Sequence, residues 1–395
     1  MILPPATLGV LGGGQLGRYF VLAARELGYR TLVLDPDPRS VAGAVADEHL
    51  VAAYDDAVAL ARVAERCAAV TTEFESVPAA ALAQLERAVP ARPGAAAVAI
   101  CQDRSAEKGF LRLHALPHAP YADILREEDC ERCAPALFPG ILKVARCGYD
   151  GKGQARVAHR AGLRAAFRDF GATPCVFERL LPLEGELSVV LARDAAGNTR
   201  CFPATANHHR SGILDLSMTP VPQGALADAA PRAQAIAAVI AERMDYVGTL
   251  GVEFFLSGGE LLVNEIAPRP HNSGHYTLDA CVTNQFEQQV RALCGLPLGD
   301  TDAHCAAVCV NLLGDLWYPD GTNVPREPDW ARLLESPGLR LHLYGKDRPR
   351  PGRKMGHFTV IGRDPHEVRL TAMAARAAIG IRDDCNWRGD AHEPG

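Results

Sequence analysis

The sequence lacks several features that would assign it to a broad class of proteins. It has no apolar run long enough to cross a bilayer, and no basic segment precedes the first apolar residues, so we expect neither a membrane protein nor a secreted one. It also lacks an excess of positive charge. The formal net charge is -6 and the isoelectric point is about 6.1, which argues against a general nucleic-acid binder. These absences predict a cytoplasmic protein whose partners are small molecules.

Cysteine is present but lacks the spacing of a disulfide framework or a metal site. The twelve cysteines are scattered along the chain, and we expect reduced thiols. Cys130 and Cys133 form one CxxC motif, but no second pair follows at the spacing of metal ligands. We interpret them as two residues on the surface of a helix.

The length and composition of the sequence indicate a folded chain of several domains. Its 395 residues are 48% hydrophobic and 22% charged, which suits roughly two to four domains with sizeable cores. A strand at residues 7–11, a helix at 15–27 and a strand at 30–34 form a βαβ unit. The strand pattern returns at 67–72, so residues 1–98 are predicted to be a Rossmann-like domain around a parallel sheet.

The rest of the chain mixes helices with β-rich segments, which makes the fold class α/β and α+β. Two short strands within residues 138–157 are joined by GYDGKGQ and look like a lid. A hairpin is expected from GVEFFL (251–256) through SGGE (257–260) into LLVNEIAPRPHNSGH (261–275). The other predicted elements are helices at 103–114, 225–244 and 366–378, strands at 175–181, 187–192, 307–312, 339–344 and 357–361, and a polar loop at 207–212.

Three glycines satisfy the GxGxxG pattern between the first strand and the first helix. They are Gly12, Gly14 and Gly17, and Asp35 ends the next strand. This arrangement is typical of dinucleotide-binding folds, in which the acid binds a ribose hydroxyl. A glycine turn at a helix N-terminus, however, binds any phosphate or anion through its N–H groups. The motif alone leaves open a nicotinamide cofactor, another anion, and a tight turn without a ligand.

A second glycine-rich segment predicts a polyphosphate site. Lys143 ends a strand, and the loop that begins five residues later contains Gly148, Tyr149, Asp150, Gly151, Lys152, Gly153 and Gln154. Such a hairpin can fold over a polyphosphate, with its N–H groups and Lys152 shielding the charge, while Lys143 adds a fixed cation from the strand. The loop does not match the P-loop pattern. An ordinary surface hairpin is the alternative.

Two glutamates in the following hairpin predict a metal site. If residues 258–260 form a three-residue turn, Glu253 lies directly across from Glu265 on one face of the sheet. Two carboxylates within about 5 Å on an apolar sheet repel each other, so a cation is the natural neutraliser. Oxygen ligands, with Asn264 alongside, suit Mg²⁺. An exposed hairpin face with solvated glutamates is the alternative.

Two polar clusters complete the candidate residues. The first follows the hairpin and offers a bidentate donor for a small planar anion; it consists of Arg269, His271, Asn272, Ser273 and His275. The second is a basic segment in an otherwise acidic chain and suits a phosphate; its cations are Lys346, Arg348, Arg350, Arg353 and Lys354. For each cluster, a solvated polar loop is the alternative.

Taken together, these segments resemble the carboxyaminoimidazole ribonucleotide synthase family of the ATP-grasp superfamily, in their order and spacing. The combination of NEIAPRPHNSGH with RPGRKMGH is highly specific, and it separates this family from the sister purine enzymes and from biotin carboxylase. The resemblance spans nearly the whole chain and rests on GGGQLGR (12–18), TTEFESV (71–77), QDR with EK (102–108), LKVARCGYDGKGQ (142–154), GELSVV (185–190), HHRSGILDLS (208–217), VNEIAPRPHNSGH (263–275) and YGKDRPRPGRKMGH (344–357).

The resemblance implies an ATP-grasp fold and a division into domains. The expected units are the Rossmann-like domain at 1–98, an ATP-grasp domain at 99–300 with a lid at about 125–190, a small β-rich domain at 301–385, and a tail at 386–395. The resemblance also implies a homodimer that binds small molecules, and neither nucleic acid nor a membrane.

Carried over residue by residue, the resemblance implies an ATP site and a metal site. Glu253 and Glu265 would hold Mg²⁺, in agreement with the hairpin argument. The residues that would bind ATP are Arg104, Lys143, Gly148, Tyr149, Asp150, Gly151, Lys152, Gly153, Gln154, Glu178, Arg179, Leu180, Leu181, Glu186, His209, Asn264 and Glu265.

The resemblance also implies where the other substrates react. Bicarbonate would attack the γ-phosphate of ATP, and the resulting carboxyphosphate would release CO₂ beside the exocyclic amine of 5-aminoimidazole ribonucleotide, which Glu73 is close enough to orient. Bicarbonate and carboxyphosphate would be held by Arg269, His271, Asn272 and Ser273, with help from Lys346. The ribonucleotide would bind between Gln15, Leu16, Glu73, Lys346, Arg353 and Lys354.

Other functions stay open at this stage. Another ATP-grasp carboxylate–amine or carboxylate–thiol ligase would share the ATP machinery but take a different acceptor, and the RPGRKMGH segment argues against it. An NAD(P)-dependent oxidoreductase would use the first glycine loop, and NAD rather than MgATP would then protect it against heat. An inactive nucleotide sensor is disfavoured because all the proposed catalytic residues are present.

Overall fold

The computed structural model describes residues 1–146, 153–319 and 324–381 of the chain. Two predicted features lie outside these residues: the tail at 386–395, and most of the second glycine-rich loop, namely Gly148, Tyr149, Asp150, Gly151 and Lys152. Among the described residues, no helix is both long enough and apolar enough to cross a membrane.

The described strands are β1 (Thr7–Leu11), β2 (Arg30–Leu34), β3 (Glu48–Leu50), β4 (Ala69–Thr72), β5 (Tyr121–Ile124), β6 (Gly140–Val144), β7 (Gln154–Val157), β8 (Cys175–Arg179), β9 (Gly185–Arg193), β10 (Thr199–Cys201), β11 (Thr205–Arg210), β12 (Ile213–Thr219), β13 (Gly248–Ser257), β14 (Glu260–Ala267), β15 (Ala306–Leu313), β16 (Leu339–Leu343) and β17 (Lys354–Gly362). The described α-helices are α1 (Gln15–Glu26), α2 (Ala57–Arg66), α3 (Ala79–Leu85), α4 (Ala95–Cys101), α5 (Arg104–Leu113), α6 (Glu127–Arg132), α7 (Arg160–Asp169), α8 (Ala225–Arg243), α9 (Thr277–Ala280), α10 (Gln285–Cys294), α11 (Trp330–Leu333) and α12 (Pro365–Ala378).

The first sheet is parallel and has the order β3-β2-β1-β4, as the βαβ pattern predicts. Leu8, Val10 and Leu11 on β1 are buried, because a parallel strand is covered on both faces and therefore reads as a continuous apolar run. The helix α1 begins directly after the glycine loop and packs against α10. Tyr19 of α1 also lies beside His275, with ring centroids 5.9 Å apart, so α1 meets the segment that follows the carboxylate hairpin.

The second sheet contains the two strands that flank the second glycine-rich loop, which the sequence predicts to be a lid, and we call it the lid sheet. It is antiparallel, with the order β5-β8-β6-β7, and α6 and α7 pack on it. Cys130 and Cys133 lie in its hydrophobic core beside Phe167 and Phe177, so the prediction that they are surface residues is wrong. Buried thiols behave as small hydrophobic side chains, and here they fill the space between helix and sheet. The described cysteines are free thiols.

The third sheet has the order β14-β13-β9-β11-β12-β15-β17-β16, and β10 pairs with β9. The C-terminal strands continue the sheet of the carboxylate hairpin through the pair of β12 and β15. Helix α12 covers their outer face, where Phe358, Val360 and Ala372 pack together. The carboxylate hairpin and the basic segment between β16 and β17 therefore belong to one continuous sheet.

The predicted polar loop at 207–212 is wrong. Residues Thr205–Arg210 form β11, which pairs with β9 on one side and with β12 on the other. The polar residues mimic a loop in the sequence because the end of the strand at His209 faces a cavity rather than a packed core. A bulge between His208 and His209 also interrupts the regular alternation of the strand.

The hairpin of β13 and β14 turns through two residues rather than the predicted three. Gly258 and Gly259 have φ values of 59° and 74°, which a tight hairpin requires and glycine adopts without steric cost. A two-residue turn alone would place Glu253 opposite Asn264. A bulge next to Glu253 shifts the register by one residue. Glu253 therefore pairs with Glu265, and that prediction is confirmed although the predicted turn is not.

Candidate active site

A cavity of about 520 Å³ opens between the lid sheet and the third sheet. Its walls come from α5, from strands of both sheets and from the segments that follow them, so the fold assembles it from distant parts of the chain. The predicted residues that it brings together are Arg104, Lys143, Gln154, Glu178, Arg179, Leu180, Leu181, Glu186, His209, Glu253, Asn264, Glu265, Arg269, His271, Asn272 and Lys354.

Cationic and polar groups surround the pair of Glu253 and Glu265. His209 Nε2 lies 3.7 Å and His271 Nε2 lies 3.4 Å from Glu253 Oε1. Arg104 Nη2 lies 3.6 Å from Glu265 Oε2. Burial opposes the charged form of Glu253, but His209 and then His271 outweigh it and hold the pKa of this carboxyl well below its usual range. Glu253 is therefore ionised at neutral pH and offers oxygen ligands to the cavity.

His209 lies between two carboxylates. Its Nδ1 is 2.5 Å from Glu186 Oε2, and its Nε2 faces Glu253. Burial alone would lower the pKa of the imidazole, but the two carboxylates raise it to about 10. His209 thus carries a positive charge at the end of the polar strand β11.

Lys143 and Glu178 form a buried ion pair on the lid side of the cavity. Lys143 Nζ lies 3.1 Å from Glu178 Oε1. Burial opposes the charged form of Glu178, but Lys143 and then Lys108 lower its pKa to about 2. Burial lowers the pKa of Lys143. The pair fixes an ammonium group where the sequence predicts a contact with polyphosphate.

Arg269 is oriented by Glu75, whose Oε2 lies 2.5 Å from its Nε. Burial opposes the charged form of Glu75, but Arg269 lowers the pKa of this carboxyl to about 2. The next residues form a short 3₁₀ turn at Asn272–Gly274, in which Ser273 is fully buried and its Oγ lies 2.8 Å from His271 Nδ1. Burial lowers the pKa of His271 to about 4. The loop therefore offers a fixed guanidinium and a neutral imidazole, which suit a small planar anion.

The N–H groups of the first glycine loop bind carboxylates of the chain itself. The N–H of Gly13 donates to Asp35 Oδ2 at 2.6 Å, and the N–H groups of Gly14 and Gly17 donate to Glu73. Burial raises the pKa of Glu73. Because these donors already have acceptors, they are not offered to a pyrophosphate, and the nicotinamide interpretation loses its main support.

The residues predicted to bind the ribonucleotide are only partly brought together. Lys346 Nζ donates to Gln15 Oε1 at 2.8 Å and to the carbonyl of Lys354 at 2.7 Å, so α1 and the basic segment meet. Leu16, in contrast, is buried in the core of the first domain. Arg353 donates to a carbonyl within its own loop. Leu16 and Arg353 therefore do not line the main cavity.

Three charged residues at the site were missed by the sequence prediction: Glu75, Glu107 and Lys108. Glu107 and Lys108 are buried next to the hairpin strand β14. All three fall within the segments that carry the resemblance, TTEFESV and QDR with EK. Hydrophobic periodicity reports apolar faces, so it does not distinguish these residues from solvated charged side chains.

Comparison with protein-family models divides the chain into three parts. Residues 5–102 match the ribonucleotide synthetase preATP-grasp domain, residues 109–286 match the ATP-grasp domain, and residues 307–371 match the phosphoribosylaminoimidazole carboxylase C-terminal domain. The order agrees with that of the predicted domains, whose limits stay predictions. The lid sheet, the carboxylate hairpin and these matches together define an ATP-dependent ligase with an ATP-grasp fold.

Individual relatives identify the family within this class. The chain is 44% identical over 362 residues to the N5-carboxyaminoimidazole ribonucleotide synthase of Brucella melitensis, which covers 91% of this chain and 97% of the relative. The crystal structure of the corresponding synthetase from Thermus thermophilus has a TM-score of 0.85 at 38% identity, over 95% of this chain and 99% of that one. The Aspergillus clavatus enzyme in complex with ADP and 5-aminoimidazole ribonucleotide has a TM-score of 0.85 at 27% identity, over 95% and 98%. The chain belongs to the N5-carboxyaminoimidazole ribonucleotide synthase family.

Proposed function

We propose that the protein uses ATP and bicarbonate to carboxylate 5-aminoimidazole ribonucleotide in de novo purine biosynthesis. The products are N5-carboxyaminoimidazole ribonucleotide, ADP and phosphate. The observation that carries the proposal is the opposed pair of Glu253 and Glu265 in one cavity with Lys143 and Arg269. One cavity thus offers oxygen ligands for a divalent cation, an ammonium for a polyphosphate and a guanidinium for a small anion.

Magnesium fits the donors that the hairpin presents. Glu253 and Glu265 would hold it, because carboxylate oxygens are its preferred protein ligands. Bound there, Mg²⁺ would neutralise negative charge on the nucleotide phosphates. Arg104 and His209 lie beside the two carboxylates and lower their mutual repulsion while leaving oxygen atoms on the cavity wall.

Transfer of the γ-phosphoryl group requires that the nucleotide is fixed and its charge balanced. Lys143 on β6 and Arg104 on α5 supply cations from two separate elements of the wall. Lys152, outside the described residues, stays a predicted third cation. The segment Arg179, Leu180 and Leu181 would meet the adenine, and Glu186 would meet the ribose hydroxyls, as the family resemblance implies.

In the first chemical step, an oxygen of bicarbonate forms a bond to the γ-phosphorus, and the bond from that phosphorus to the β,γ-bridging oxygen breaks. ADP leaves, and carboxyphosphate forms. Arg269, oriented by Glu75, would bind the anion through two parallel N–H donors. Neutral His271, with Asn272, would fix its position without adding charge.

In the second step, the bond between carbon and the bridging oxygen of carboxyphosphate breaks, which gives phosphate and CO₂. The exocyclic amine of the ribonucleotide then attacks the CO₂ carbon and loses a proton, which gives the carbamate. Exclusion of water protects both labile species. Gln15 and Lys346, which share a hydrogen bond, would bind the ribonucleotide. Glu73 would orient its amine.

We also propose that the protein works as a homodimer in the cytoplasm. The support for both statements is the family to which the chain belongs. Sedimentation velocity at micromolar protein concentration checks the dimer, and a single species with the mass of one chain would contradict it.

The proposal is tested by phosphate release from MgATP with 5-aminoimidazole ribonucleotide and bicarbonate each supplied or omitted. We expect release that depends on the ribonucleotide and rises with bicarbonate. Turnover only with a different amine or carboxylate would keep the ATP-dependent class and overturn the substrates. No turnover under any of these conditions would overturn the proposed reaction.

A further inference from the structure

Lysine is rare in this chain, and its positions are informative. Only five of the 41 lysine and arginine residues are lysines, so arginine supplies almost all of the positive charge of the chain. The two residues are not interchangeable where a compact ammonium group with three donors is needed. The five are Lys108, Lys143, Lys152, Lys346 and Lys354. Lys143 and Lys354 line the cavity, Lys346 binds Gln15, and Lys152 is outside the described residues.

Lys108 lies behind the wall of the cavity rather than on it. It belongs to α5 and is 0% exposed. Its Nζ lies 3.6 Å from Glu178 Oε2 and donates to the carbonyl of Asn264 at 3.3 Å. One ammonium group therefore contacts the lid strand β8 and the hairpin strand β14 at the same time. A guanidinium would have to fit the same enclosed space with a larger, planar head.

The contact with Glu178 affects the charge that is available to the nucleotide. Glu178 lies between two ammonium groups, with Lys143 at 3.1 Å and Lys108 at 3.6 Å. The positive charge of Lys108 compensates the negative charge of Glu178. Lys143 therefore stays able to face a polyphosphate. Without Lys108, Lys143 would be the one partner left to Glu178 among the described ion pairs, and Glu178 would compete with the phosphate for that ammonium group.

The contact with Asn264 supports the strand that carries the proposed metal ligand. In the described sheet, β14 is an edge strand, and the backbone groups of an edge strand need partners from outside the sheet. Lys108 binds the carbonyl of Asn264, and its neighbour Glu107 accepts the N–H of Ile266 at 2.5 Å. These two consecutive residues of α5 hold the backbone on both sides of Glu265.

We infer that Lys108 is a positioning residue of the nucleotide and metal site, which acts through Glu178 on Lys143 and through Asn264 on Glu265. The inference rests on the proposed assignment of Lys143 and Glu265. It gives α5 a role beyond that of a covering helix, because one of its side chains couples the lid sheet to the hairpin.

The test compares Lys108→Met and Lys108→Arg with the wild type in steady-state turnover at varied MgATP. We expect each variant to raise KM for MgATP by about tenfold or more, as is usual for partners that orient a ligating group, while kcat at saturating MgATP changes about threefold or less. Arg112→Met, on the exposed face of the same helix, is the matched control and should keep both constants. A purely structural lysine would lower thermal stability without changing KM of the folded enzyme.

A second comparison places Lys108→Met in a Glu178→Gln background. Because the carboxylate that Lys108 compensates is then absent, its effect on KM should fall to about threefold or less. An unchanged KM in Lys108→Arg, or an equal effect of Lys108→Met in both backgrounds, would overturn the inference. If Lys108→Met does not fold, Lys108→Arg keeps the charge and carries the test. Lys143→Met is measured in parallel: if it leaves KM unchanged, the proposed nucleotide site itself is wrong.

Discussion

The first glycine loop and the carboxylate hairpin both collect negative charge, but the groups that balance it differ. In the loop, backbone N–H groups of Gly13, Gly14 and Gly17 bind Asp35 and Glu73. In the hairpin, the nearest groups are side chains at the edge of a cavity, at distances of 3.4 to 3.7 Å from the glutamate oxygens. The N–H donors of the loop are occupied by acids of its own chain, whereas the glutamate oxygens of the hairpin stay accessible to a ligand.

The difference explains why two motifs of similar appearance differ in function. A glycine-rich turn provides donors, and the chain can satisfy them with its own acids. A pair of carboxylates provides only acceptors, and this chain places no ammonium or guanidinium of its own within 3.5 Å of them among the described ion pairs. The hairpin is therefore the better indicator of a bound cation.

The largest effect is expected from Glu265→Gln. The change removes one of two proposed ligands of Mg²⁺, and turnover should fall by at least about 100-fold, since even outer partners of a metal are typically worth 10–100-fold. Phosphate release at varied Mg²⁺ measures the loss. Glu260→Gln, at the exposed tip of the same hairpin, is the matched control. Near-normal turnover of Glu265→Gln would contradict the metal assignment.

A smaller effect on activity is expected from Arg269→Lys. Lysine keeps the charge but loses the planar pair of donors and the contact with Glu75. The bicarbonate concentration that gives half-maximal turnover should rise by about tenfold or more, the size of a lost charged hydrogen bond. The exposed Arg243→Lys on α8 serves as the control. If ATP rather than bicarbonate becomes limiting, the role given to Arg269 is wrong.

Substitutions in the glycine loop and in the carboxylate hairpin should change the free energy of unfolding differently. Glu73→Gln should destabilise the fold by about 1–3 kcal/mol, because a buried N–H of the glycine loop loses its acceptor. Glu265→Gln should leave stability equal or higher, because it removes one of two repelling carboxylates. Urea unfolding of both variants at pH 7 measures the difference. Equal destabilisation by both would remove the distinction between a closed and an open site.

The pH dependence of stability should differ between Glu73 and Glu75, two acids of one segment. The pKa of Glu75 is lowered to about 2, so its contribution is present above the unfolded pKa of about 4.5 and is lost as pH falls towards 2. The pKa of Glu73 is raised, so stability from its protonated form is present below about pH 4.5 and is lost as pH rises through the folded pKa. Urea unfolding between pH 3 and pH 7 should give a flatter acid limb for Glu75→Gln, by at most about 1.4 kcal/mol per pH unit. An identical limb in wild type and variant would contradict the ion pair.

The smallest expected effect is that of NAD on the melting temperature, which should not change. MgATP should raise the melting temperature by about 2–6 °C at saturating concentration, because a ligand that binds the native state stabilises it. NAD at the same concentration should cause no shift, since the donors of the glycine loop are occupied. Differential scanning fluorimetry compares the two ligands. A shift with NAD alone would reopen the dinucleotide interpretation.

Much of the architecture followed from local patterns in the sequence. The βαβ unit, the lid strands and the C-terminal strands were predicted because apolar alternation and glycine turns report local structure. The opposition of Glu253 and Glu265 was predicted with the wrong turn, since a two-residue turn and a bulge have opposite effects on the register. A bulge has no reliable signal in one sequence. The sequence alone therefore could not show that the bulge restores the pair of Glu253 and Glu265 that the shorter turn would separate.

Other features depend on contacts between distant segments, which local patterns do not report. The strand β11 was predicted as a loop because its polar end faces a cavity. The occupation of the glycine loop by Glu73 joins residues that are far apart in the chain. The buried charges of Glu75, Glu107 and Lys108 are matched by partners on other elements. Their roles became visible only when burial and distance were known.

The most direct test of the proposed chemistry follows an oxygen atom from bicarbonate. The protein is incubated with MgATP, 5-aminoimidazole ribonucleotide and ¹⁸O-labelled bicarbonate, and the mass of the released phosphate is measured. If bicarbonate attacks the γ-phosphorus and carboxyphosphate then releases CO₂, each phosphate carries one oxygen from bicarbonate. Phosphate without ¹⁸O, formed together with the carboxylated ribonucleotide, would contradict the carboxyphosphate route and with it the central claim.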